Sequence, residues 1–276
     1  MIRLIADSSS DRPALAGIPI EYVPLVISTE AQSFTDDDQL DVDELLQCLA
    51  SYRGRSYTAC PSVDAWLRAF EGGDEIYAVT ITSALSGSYN SAMAARALYL
   101  QEHPGAKIAV FDSLSTGPEL RLILEKLQDC VENGLEFERT VQQVQDYQKH
   151  TGLLFCLHSL HNMAQNGRVS KVAAAAVGVL GIRIVGMASP EGTLAQLAKC
   201  RGDRKALPEL IEQLRLSGYT GGKARITHVN NPTLADTLRS QLLATWPQAD
   251  ITTAPSTGLC SYYAESGAIM VAFEHE

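Results

Sequence analysis

The turn Leu85–Asn90, which reads Leu-Ser-Gly-Ser-Tyr-Asn, contains the residues best suited to binding an anion. It follows an apolar run, Ile76–Ile81, and precedes an alanine-rich run, so the pattern predicts a strand, a turn and a helix. The first backbone N–H groups of a helix have no partner inside it, and with the helix dipole they favour a carboxylate or a phosphate. The turn has no lysine and matches no glycine-rich nucleotide motif, so the identity of its anion stays open at this point.

Ser86 and Ser88 also fit a structural role. A serine before a helix commonly accepts a hydrogen bond from the helix backbone, and such a cap is worth about 1 kcal/mol. Gly87, between them, would let a ligand approach the backbone closely. Taken alone, the residues of this turn favour the helix cap over the anion site.

A second polar segment, Thr58–Ser62, also precedes a predicted helix. Ser62 could again be a helix cap. Cys60 could be the nucleophile of a hydrolase or an acyl-transfer enzyme, which would require a nearby base to form the thiolate. No histidine lies close to Cys60 in the sequence, and the sequence does not decide whether one lies close in space.

The remaining candidates are charged or metal-ligating side chains. Arg201, which precedes a glycine, could bind an anion through two guanidinium N–H groups or form a surface ion pair. His158 and His161 are spaced to share one helix face, but neither a third ligand nor a His-Glu-x-x-His pattern accompanies them. The run Asp36–Asp38 fits a solvated helix start better than a cation site. We therefore predict neither a metal ion nor another cofactor.

These candidates require a fold that brings them together. In the first half, strand-like runs alternate with single helical runs, which predicts a parallel sheet with helices on both faces. Ligands of such sheets bind beyond the carboxyl ends of the strands, where Thr58–Ser62 and Ser83–Asn90 fall. The predicted strands are Ile2–Ala6, Tyr22–Ser28, Ile76–Ile81 and Lys107–Phe111, and the predicted helices are Val42–Ser51, Val63–Phe70, Ser88–Tyr99 and Pro118–Asn133.

The second half reads as a mixed α/β domain. The polar residues of Gly134–Gly152 indicate a change of domain, so we predict an N-terminal α/β domain at residues 1–149 and a C-terminal α/β domain at residues 150–276. Two hairpin-like strands stand among the helices of the second domain. The predicted strands are Leu153–Leu157, Arg183–Ala188, Leu194–Lys199, Ala224–Val229, Asp250–Ala254 and Gly267–Phe273, and the predicted helices are Ser159–Gln165, Val169–Leu180, Lys205–Leu216 and Pro232–Trp246.

The composition limits the classes of function. The chain of 276 residues has a net charge of −10, which argues against binding to nucleic acid, because affinity for phosphates comes from lysine and arginine. The longest apolar stretch, Val169–Ala188, is interrupted by Lys171 and Arg183, so we predict no membrane span. Met1–Asp7 reads as a short strand and not as a signal peptide, and the six cysteines are scattered as in reduced cytosolic proteins. We expect a cytoplasmic protein.

In their order and spacing these segments resemble the DegV family of bacterial lipid-binding proteins, over nearly the whole chain. The resemblance implies a two-domain α/β fold that binds one long-chain fatty acid between the domains. It also implies a non-catalytic subunit that presents the carboxylate to a separate ATP-dependent fatty acid kinase subunit, which makes an acyl-phosphate for phospholipid synthesis. The motifs that carry the resemblance are Ala6–Asp11, Thr58–Ser62, Leu85–Asn90, Asp112-Ser113, Asn166–Lys171, Lys199–Gly202 and Tyr263–Ala268.

The resemblance further implies roles for individual residues. Thr58 and Ser86 would hydrogen-bond the carboxylate, and the backbone amides of the next two residues in the turn would complete the cradle. A tyrosine stands where the family often has a histidine near the C-terminus, and its phenol could donate a hydrogen bond instead. The implied ligand-binding set is Thr58, Ser62, Ser86, Gly87, Ser88, Asn90 and Tyr263, and Arg201 is implied to contact the kinase partner or the phosphate.

The chain departs from the family pattern at the head of the implied site. Ala59 and Cys60 replace the usual serine and glutamine, which removes one hydroxyl. Tyr263–Gly267 replaces the frequent His-x-Gly-Pro-Gly, a change that bears on kinase coupling more than on lipid binding. Asn166 replaces a glycine.

The tail of a fatty acid would need a dry, apolar tunnel. Two other functions stay open: a hydrolase or acyl-transfer enzyme that uses Cys60 or a pocket serine, and a lipid-sensing regulatory module that controls another partner. The candidate tunnel residues, each of which could equally be ordinary core, are Val23, Leu25, Val169, Val172, Val177, Leu180 and Ile182.

Overall fold

A computed structural model describes residues 1–170 and 181–276. The strands are β1 (Ile2–Asp7), β2 (Ile20–Val23), β3 (Val26–Ser28), β4 (Ser33–Thr35), β5 (Tyr57–Ala59), β6 (Glu75–Thr80), β7 (Lys107–Asp112), β8 (Thr151–Leu157), β9 (Ile182–Ala188), β10 (Leu194–Arg201), β11 (Lys223–His228), β12 (Asp250–Pro255) and β13 (Ile269–Glu274). The helices are α1 (Val42–Ser51), α2 (Val63–Phe70), α3 (Ser88–Glu102), α4 (Pro118–Glu132), α5 (Phe137–Tyr147), α6 (His161–Gln165), α7 (Asp203–Leu216), α8 (Pro232–Thr245) and α9 (Gly258–Ala264).

The first sheet has the strand order β2-β1-β6-β7, and all its strands run parallel. Successive side chains of a strand point to opposite faces, and each face is covered by helices. Leu4 and Ala6 pack with residues of α4 and α5, whereas Ile5 packs with residues of α2 and α3. The predicted parallel sheet with helices on both faces is confirmed.

The second sheet has the order β10-β9-β8-β13-β11-β12 and is mixed, because β11 and β12 pair in parallel whereas the other neighbours are antiparallel. Successive side chains of its central strand β8 point alternately into two hydrophobic cores. Leu154 and Cys156 pack with residues of α7 and α8, whereas Leu153, Phe155 and Leu157 join a cluster on the opposite face. That opposite cluster also contains residues of α4 and α9, so this face looks toward the first sheet.

A third, antiparallel sheet with the order β4-β3-β5 was not predicted. The predicted single strand Tyr22–Ser28 is wrong, since β2 ends at Val23 and β3 begins at Val26. Pro24 lies between them and has no N–H to donate to a ladder, so the chain leaves the first sheet here and enters the third. This break carries β3, and β5 beside it, to the edge of the cleft described below.

Helix α9 was also missed from the sequence. Its first N–H groups are bonded by carboxylates from the other end of the chain: Thr257 N donates to Asp11 Oδ1 over 2.9 Å, and Gly258 N and Leu259 N donate to the two oxygens of Asp36 over 3.0 and 2.9 Å. Both aspartates are buried or nearly so. The helix begins where it does because distant residues satisfy its free donors.

Helix α4 connects the two larger sheets. Its residues belong to the core against the first sheet, and Glu125 on the same helix makes two hydrogen bonds of 2.8 Å to the guanidinium of Arg225 on β11. Arg225 is only 5% exposed and also bonds Asp250. The predicted boundary between residues 149 and 150 falls just before β8 and stays a prediction.

None of the described helices is long and apolar enough to cross a membrane. The six cysteines are free thiols, of which Cys48 and Cys60 are half-buried and the other four are buried. The predicted helix Val169–Leu180 lies mostly outside the described residues, as do Val172, Val177 and Leu180 among the predicted tunnel residues.

Candidate functional site

A narrow cleft lies between the loops of the first and third sheets and the inner face of β8. It contains about 700 Å³ of empty space when the part open to solvent is counted, whereas the centre of a water molecule can reach about 60 Å³ of it. The cleft is therefore slim enough for a single unbranched chain. Its apolar lining comes from Leu25, Ile81, Leu85, Leu153, Phe155, Leu157, Met163, Leu194, Leu259, Cys260, Ala264 and Met270.

The polar side chains of the lining are few, and three of the predicted site residues are among them: Thr58, Ser86 and Tyr263. Thr58 Oγ1 and the phenolic oxygen of Tyr263 lie 2.7 Å apart and share a hydrogen bond. Burial raises the pKa of Tyr263, while the bond to Thr58 opposes that shift. The phenol therefore stays protonated at neutral pH and is available as a donor to an anion.

Arg168 is a positively charged lining residue that we did not predict as part of the site. Its Nε donates to the carbonyl oxygen of Leu85 over 3.2 Å, and its Nη1 donates to the carbonyl oxygen of Asn166 over 2.6 Å. Its guanidinium carbon lies 5.8 Å from the centre of the Tyr263 ring. Arginine has five N–H donors, more than these two bonds use, so the end of the cleft near Tyr263 combines hydroxyls with a cation.

The two serines of the turn before α3 have different roles. Ser86 Oγ lines the cleft and accepts a hydrogen bond of 3.3 Å from Ser88 N. Ser88 Oγ is buried and donates to Asp7 Oδ2 over 2.6 Å, so it points away from the cleft. Gly87 is the residue before the helix and is exposed, and a Cβ there would lie 3.1 Å from Cys60 Sγ.

Asp7 fixes the position of that turn. Its Oδ2 also accepts from the backbone N of Ile81 over 2.9 Å, and its Oδ1 accepts from Ser9 N over 3.2 Å. The side chain is fully buried, and this burial raises the pKa of Asp7, with hydrogen bonds from Ser88 and Ser9 opposing the shift. Asp7, at the end of β1, thus holds the Ser86 turn in place from the side that faces away from the cleft.

Five of the predicted site residues lie outside the cleft lining: Gly87 and Ser88 in the turn before α3, and Ser62, Asn90 and Arg201 farther away. Ser62 is exposed and caps α2, its hydroxyl accepting from Ala65 N over 3.1 Å. Asn90 is exposed in the first turn of α3, and Arg201 is exposed at the last position of β10. The structure therefore brings together Thr58, Ser86 and Tyr263 with the amide turn, and places the others elsewhere.

Within the part of the chain that the structure describes, no base forms a hydrogen bond with Cys60. Its Sγ lies 4.0 Å from Ser91 Oγ, and a hydroxyl is not a base that would form a thiolate. The described lining of the cleft includes no histidine. Within residues 1–170 and 181–276, no group of three metal-ligating side chains is close enough to hold a metal ion.

The predicted tunnel residues have mixed positions. Leu25 lines the cleft, Val23 belongs to the core between the first sheet and α2, and Val169 and Ile182 pack at the edge of the cluster on the inner face of β8. The main apolar wall, Leu153, Phe155 and Leu157, was not predicted as lining. Alternate residues of a strand share one face. The alternation in β8 could therefore have predicted this wall, but only with the knowledge that the strand faces the first sheet.

The chain is similar to proteins of one family along its full length. The sequence model of the DegV family, described as an uncharacterised protein family, matches residues 1–276. A DegV domain-containing protein of Streptococcus pneumoniae is 44% identical over 276 residues, which cover 99% of this chain and 98% of that protein.

Two solved structures are similar to this chain throughout. A DegV family protein from Eubacterium eligens, loaded with heptadecanoic acid, is 51% identical, with a TM-score of 0.97 and full coverage of both chains. The Streptococcus pneumoniae fatty acid kinase B3 protein, loaded with linoleic acid, is 43% identical, with a TM-score of 0.98 over 100% of this chain and 99% of that one. The predicted two-domain α/β fold class agrees with these neighbours.

Proposed function

The chain belongs to the DegV family, and from this premise we propose that it binds a long-chain fatty acid in the cleft and presents the carboxylate to a separate kinase subunit. One observation carries the proposal. The cleft is slim and apolar and has its hydroxyls and its cation around Tyr263, in a chain 51% identical to a protein solved with heptadecanoic acid. This arrangement matches a ligand with one charged end and a long apolar tail.

The carboxylate would lie beside Thr58, Ser86 and Tyr263. Hydroxyl and amide donors bind a carboxylate through charge-assisted hydrogen bonds, and the start of α3 adds its unpaired amides. Arg168 would supply a positive charge near the same oxygens, because its guanidinium carbon lies 5.8 Å from the centre of the Tyr263 ring. A carboxylate held in this way needs no metal ion.

The tail would supply most of the affinity. Each buried methylene contributes about 0.8 kcal/mol, so a sixteen-carbon chain would gain roughly 11 kcal/mol before ordering costs are subtracted. The wall formed by Leu153, Phe155 and Leu157 on one side, and by Leu259 and Ala264 of α9 on the other, would take up this surface.

The chain would act as a carrier and not as an enzyme. Fatty acid kinase B3, to which it is similar over its whole length, is a fatty acid kinase protein that was crystallised with a fatty acid bound. We propose that this chain holds the acid and that a kinase subunit transfers phosphate to it. Arg201, exposed at the end of β10, is our candidate for a contact with that subunit.

The test of binding begins with the ligand that the purified protein carries. Mass spectrometry of molecules released by denaturation should identify a fatty acid, and delipidated protein should bind one again. Delipidated, folded protein that binds no fatty acid would refute the proposal.

A matched pair of serine variants locates the head of the ligand. Ser86→Ala should weaken fatty-acid binding by about 1–3 kcal/mol, the range for a hydrogen bond to a charged group. Ser62→Ala removes a hydroxyl of the same kind that caps a helix outside the cleft, so it should leave the binding constant unchanged. Equal effects of the two variants on binding would contradict this placement of the carboxylate.

Coupling to a kinase needs a separate assay. Lipid-loaded protein, ATP and a bacterial fatty acid kinase subunit should give acyl-phosphate, and Arg201→Ala should lower the rate without changing lipid affinity. Arg215→Ala, which also removes an exposed arginine, serves as the control. If loaded protein supports no phosphorylation but captures another partner only when lipid is bound, the chain is a lipid-sensing module instead.

A further inference from the structure

A second cavity lies beyond the end of the cleft. It is partly open to solvent and contains about 1350 Å³ of empty space when the open part is counted, of which the centre of a water molecule can reach about 620 Å³. It is bounded by the carboxyl end of β7, the first turn of α4 and the beginning of β8. Its walls are partly polar, with Glu119 and Thr151 among them, and partly apolar, with Met187, Ala188 and Phe273. The fatty-acid site as proposed above does not use this space.

Leu153 belongs to the walls of both spaces. Among the described residues it is the one that lines both the cleft and the second cavity, and it is 2% exposed. Alternate residues of a strand share a face, so Thr151, Leu153 and Phe155 follow one another along the inner face of β8. Movement along this face from Phe155 toward Thr151 therefore leads from the cleft, past one leucine side chain, into the cavity.

The carboxylate end of the cleft lies in the other direction along β8. β8 ends at Leu157 and the chain continues into α6, where the carbonyl oxygen of Met163 accepts from the backbone N of Arg168 over 2.9 Å. Arg168 is the cation at the proposed head of the site. Leu157 is therefore near the head of a bound chain, and Leu153, four residues back along the strand, is near its tail.

The chemistry of the wall changes at the same point. Before Leu153 the face is apolar, whereas behind it Thr151 Oγ1 donates to Glu119 Oε1 over 2.8 Å. Burial raises the pKa of the Glu119 carboxyl, which favours its neutral form. A methyl end that stops at Leu153 stays in apolar surroundings, and a longer chain would need the leucine side chain to be removed.

We propose that Leu153 sets the upper limit of acyl chain length by closing the cleft against the second cavity. The inference rests on the proposed function, since it concerns the tail of the same ligand. Removing the side chain beyond Cβ would join the two spaces, and the additional methylenes of a longer acid would then extend past Thr151 and Ala188, which line the second cavity on the same face of the sheet as Leu153.

The experiment compares two saturated acids, palmitic acid and the longer behenic acid, by competition binding to delipidated protein. The readout is the ratio of the two dissociation constants, which a general loss of affinity does not change. In Leu153→Ala this ratio should move toward behenic acid by at least about tenfold, because each further buried methylene contributes roughly fourfold in affinity. Leu157→Ala, the same substitution on the same face of β8, should leave the ratio as in the wild type.

A second variant keeps the test decisive if Leu153→Ala does not fold. Leu153→Phe fills the end of the cleft and should move the ratio toward palmitic acid. Wild-type protein that binds palmitic acid, together with Leu153 variants that leave the ratio unchanged, would overturn this inference while the proposed function stands. Wild-type protein that binds neither acid would overturn the proposed function itself.

Discussion

The carboxyl group of Asp11 makes the stability of the fold depend on pH. Burial raises the pKa of Asp11 from its usual 3.8 to about 7. Between these values the folded chain binds a proton that the unfolded chain has released. The free energy of unfolding therefore decreases as the pH rises from about 4 to about 7, because the folded state must give up a proton that it holds more tightly.

The size of this effect follows from the pKa difference. The carboxyl changes by about 3 pKa units from its usual 3.8, and each unit corresponds to about 1.4 kcal/mol, so the loss reaches at most about 4 kcal/mol. Asparagine at this position cannot ionise, and its amide oxygen can still accept from the backbone N of Thr257. Asp11→Asn should therefore abolish this part of the pH dependence.

The assay is urea unfolding of the wild type and Asp11→Asn at pH 5 and pH 8. Between these two pH values the free energy of unfolding of the wild type should decrease by up to about 3 kcal/mol more than that of the variant. Most of the pH range between the usual pKa of 3.8 and the raised pKa of about 7 falls in this interval. Asp43→Asn, which changes an exposed aspartate in the first turn of α1, is the control and should behave like the wild type. Parallel pH dependences of Asp11→Asn and the wild type would refute the reasoning, because Asp11 would then be ionised in the folded protein at both pH values.

Three further predictions concern the cleft and its frame. Tyr263→Phe should weaken fatty-acid binding by about 1–3 kcal/mol in a competition assay, and unchanged affinity would show that the phenol does not reach the carboxylate. Arg225→Ala should lower the free energy of unfolding in urea by about 2–3 kcal/mol, because Glu125 would lose its two hydrogen bonds to Arg225 and keep only its contacts with Arg121 and Lys223; a loss below 1 kcal/mol would contradict this. Gly192→Ala, in the turn between β9 and β10, should lower the melting temperature, since φ is +75° and a Cβ would lie 2.1 Å from Thr82 Oγ1. An unchanged melting temperature would mean that this turn does not pack against Thr82.

The fold class could be predicted because its signals are local. Alternating strand and helix patterns, and caps such as Ser62 before α2, depend on neighbouring residues, and the parallel sheet follows from them. Helix α9 could not be predicted in this way. It is a short helix whose first donors are bonded by Asp11 and Asp36, more than two hundred residues away in the chain.

The candidate site likewise contains residues that could be predicted from local sequence and residues that could not. Thr58 and Ser86 stand in recognisable turns, so their chemistry could be inferred from sequence and resemblance. Arg168 reaches the cleft only because its segment folds back to the carbonyl of Leu85, and the wall at Leu153 depends on which face of β8 looks toward the first sheet. Such positions depend on long-range packing, which a single sequence does not specify.

Helix α4 and the aspartates that hold α9 have a consequence for how the chain unfolds. Glu125 on α4 ties the first sheet to β11, and Asp36 ties the third sheet to α9, so each predicted domain completes part of the other. Either half expressed alone would lose these contacts, which lie at buried positions. Unfolding should therefore occur as one cooperative transition, and a fatty acid bound in the cleft would raise the melting temperature of the whole chain and not of one half.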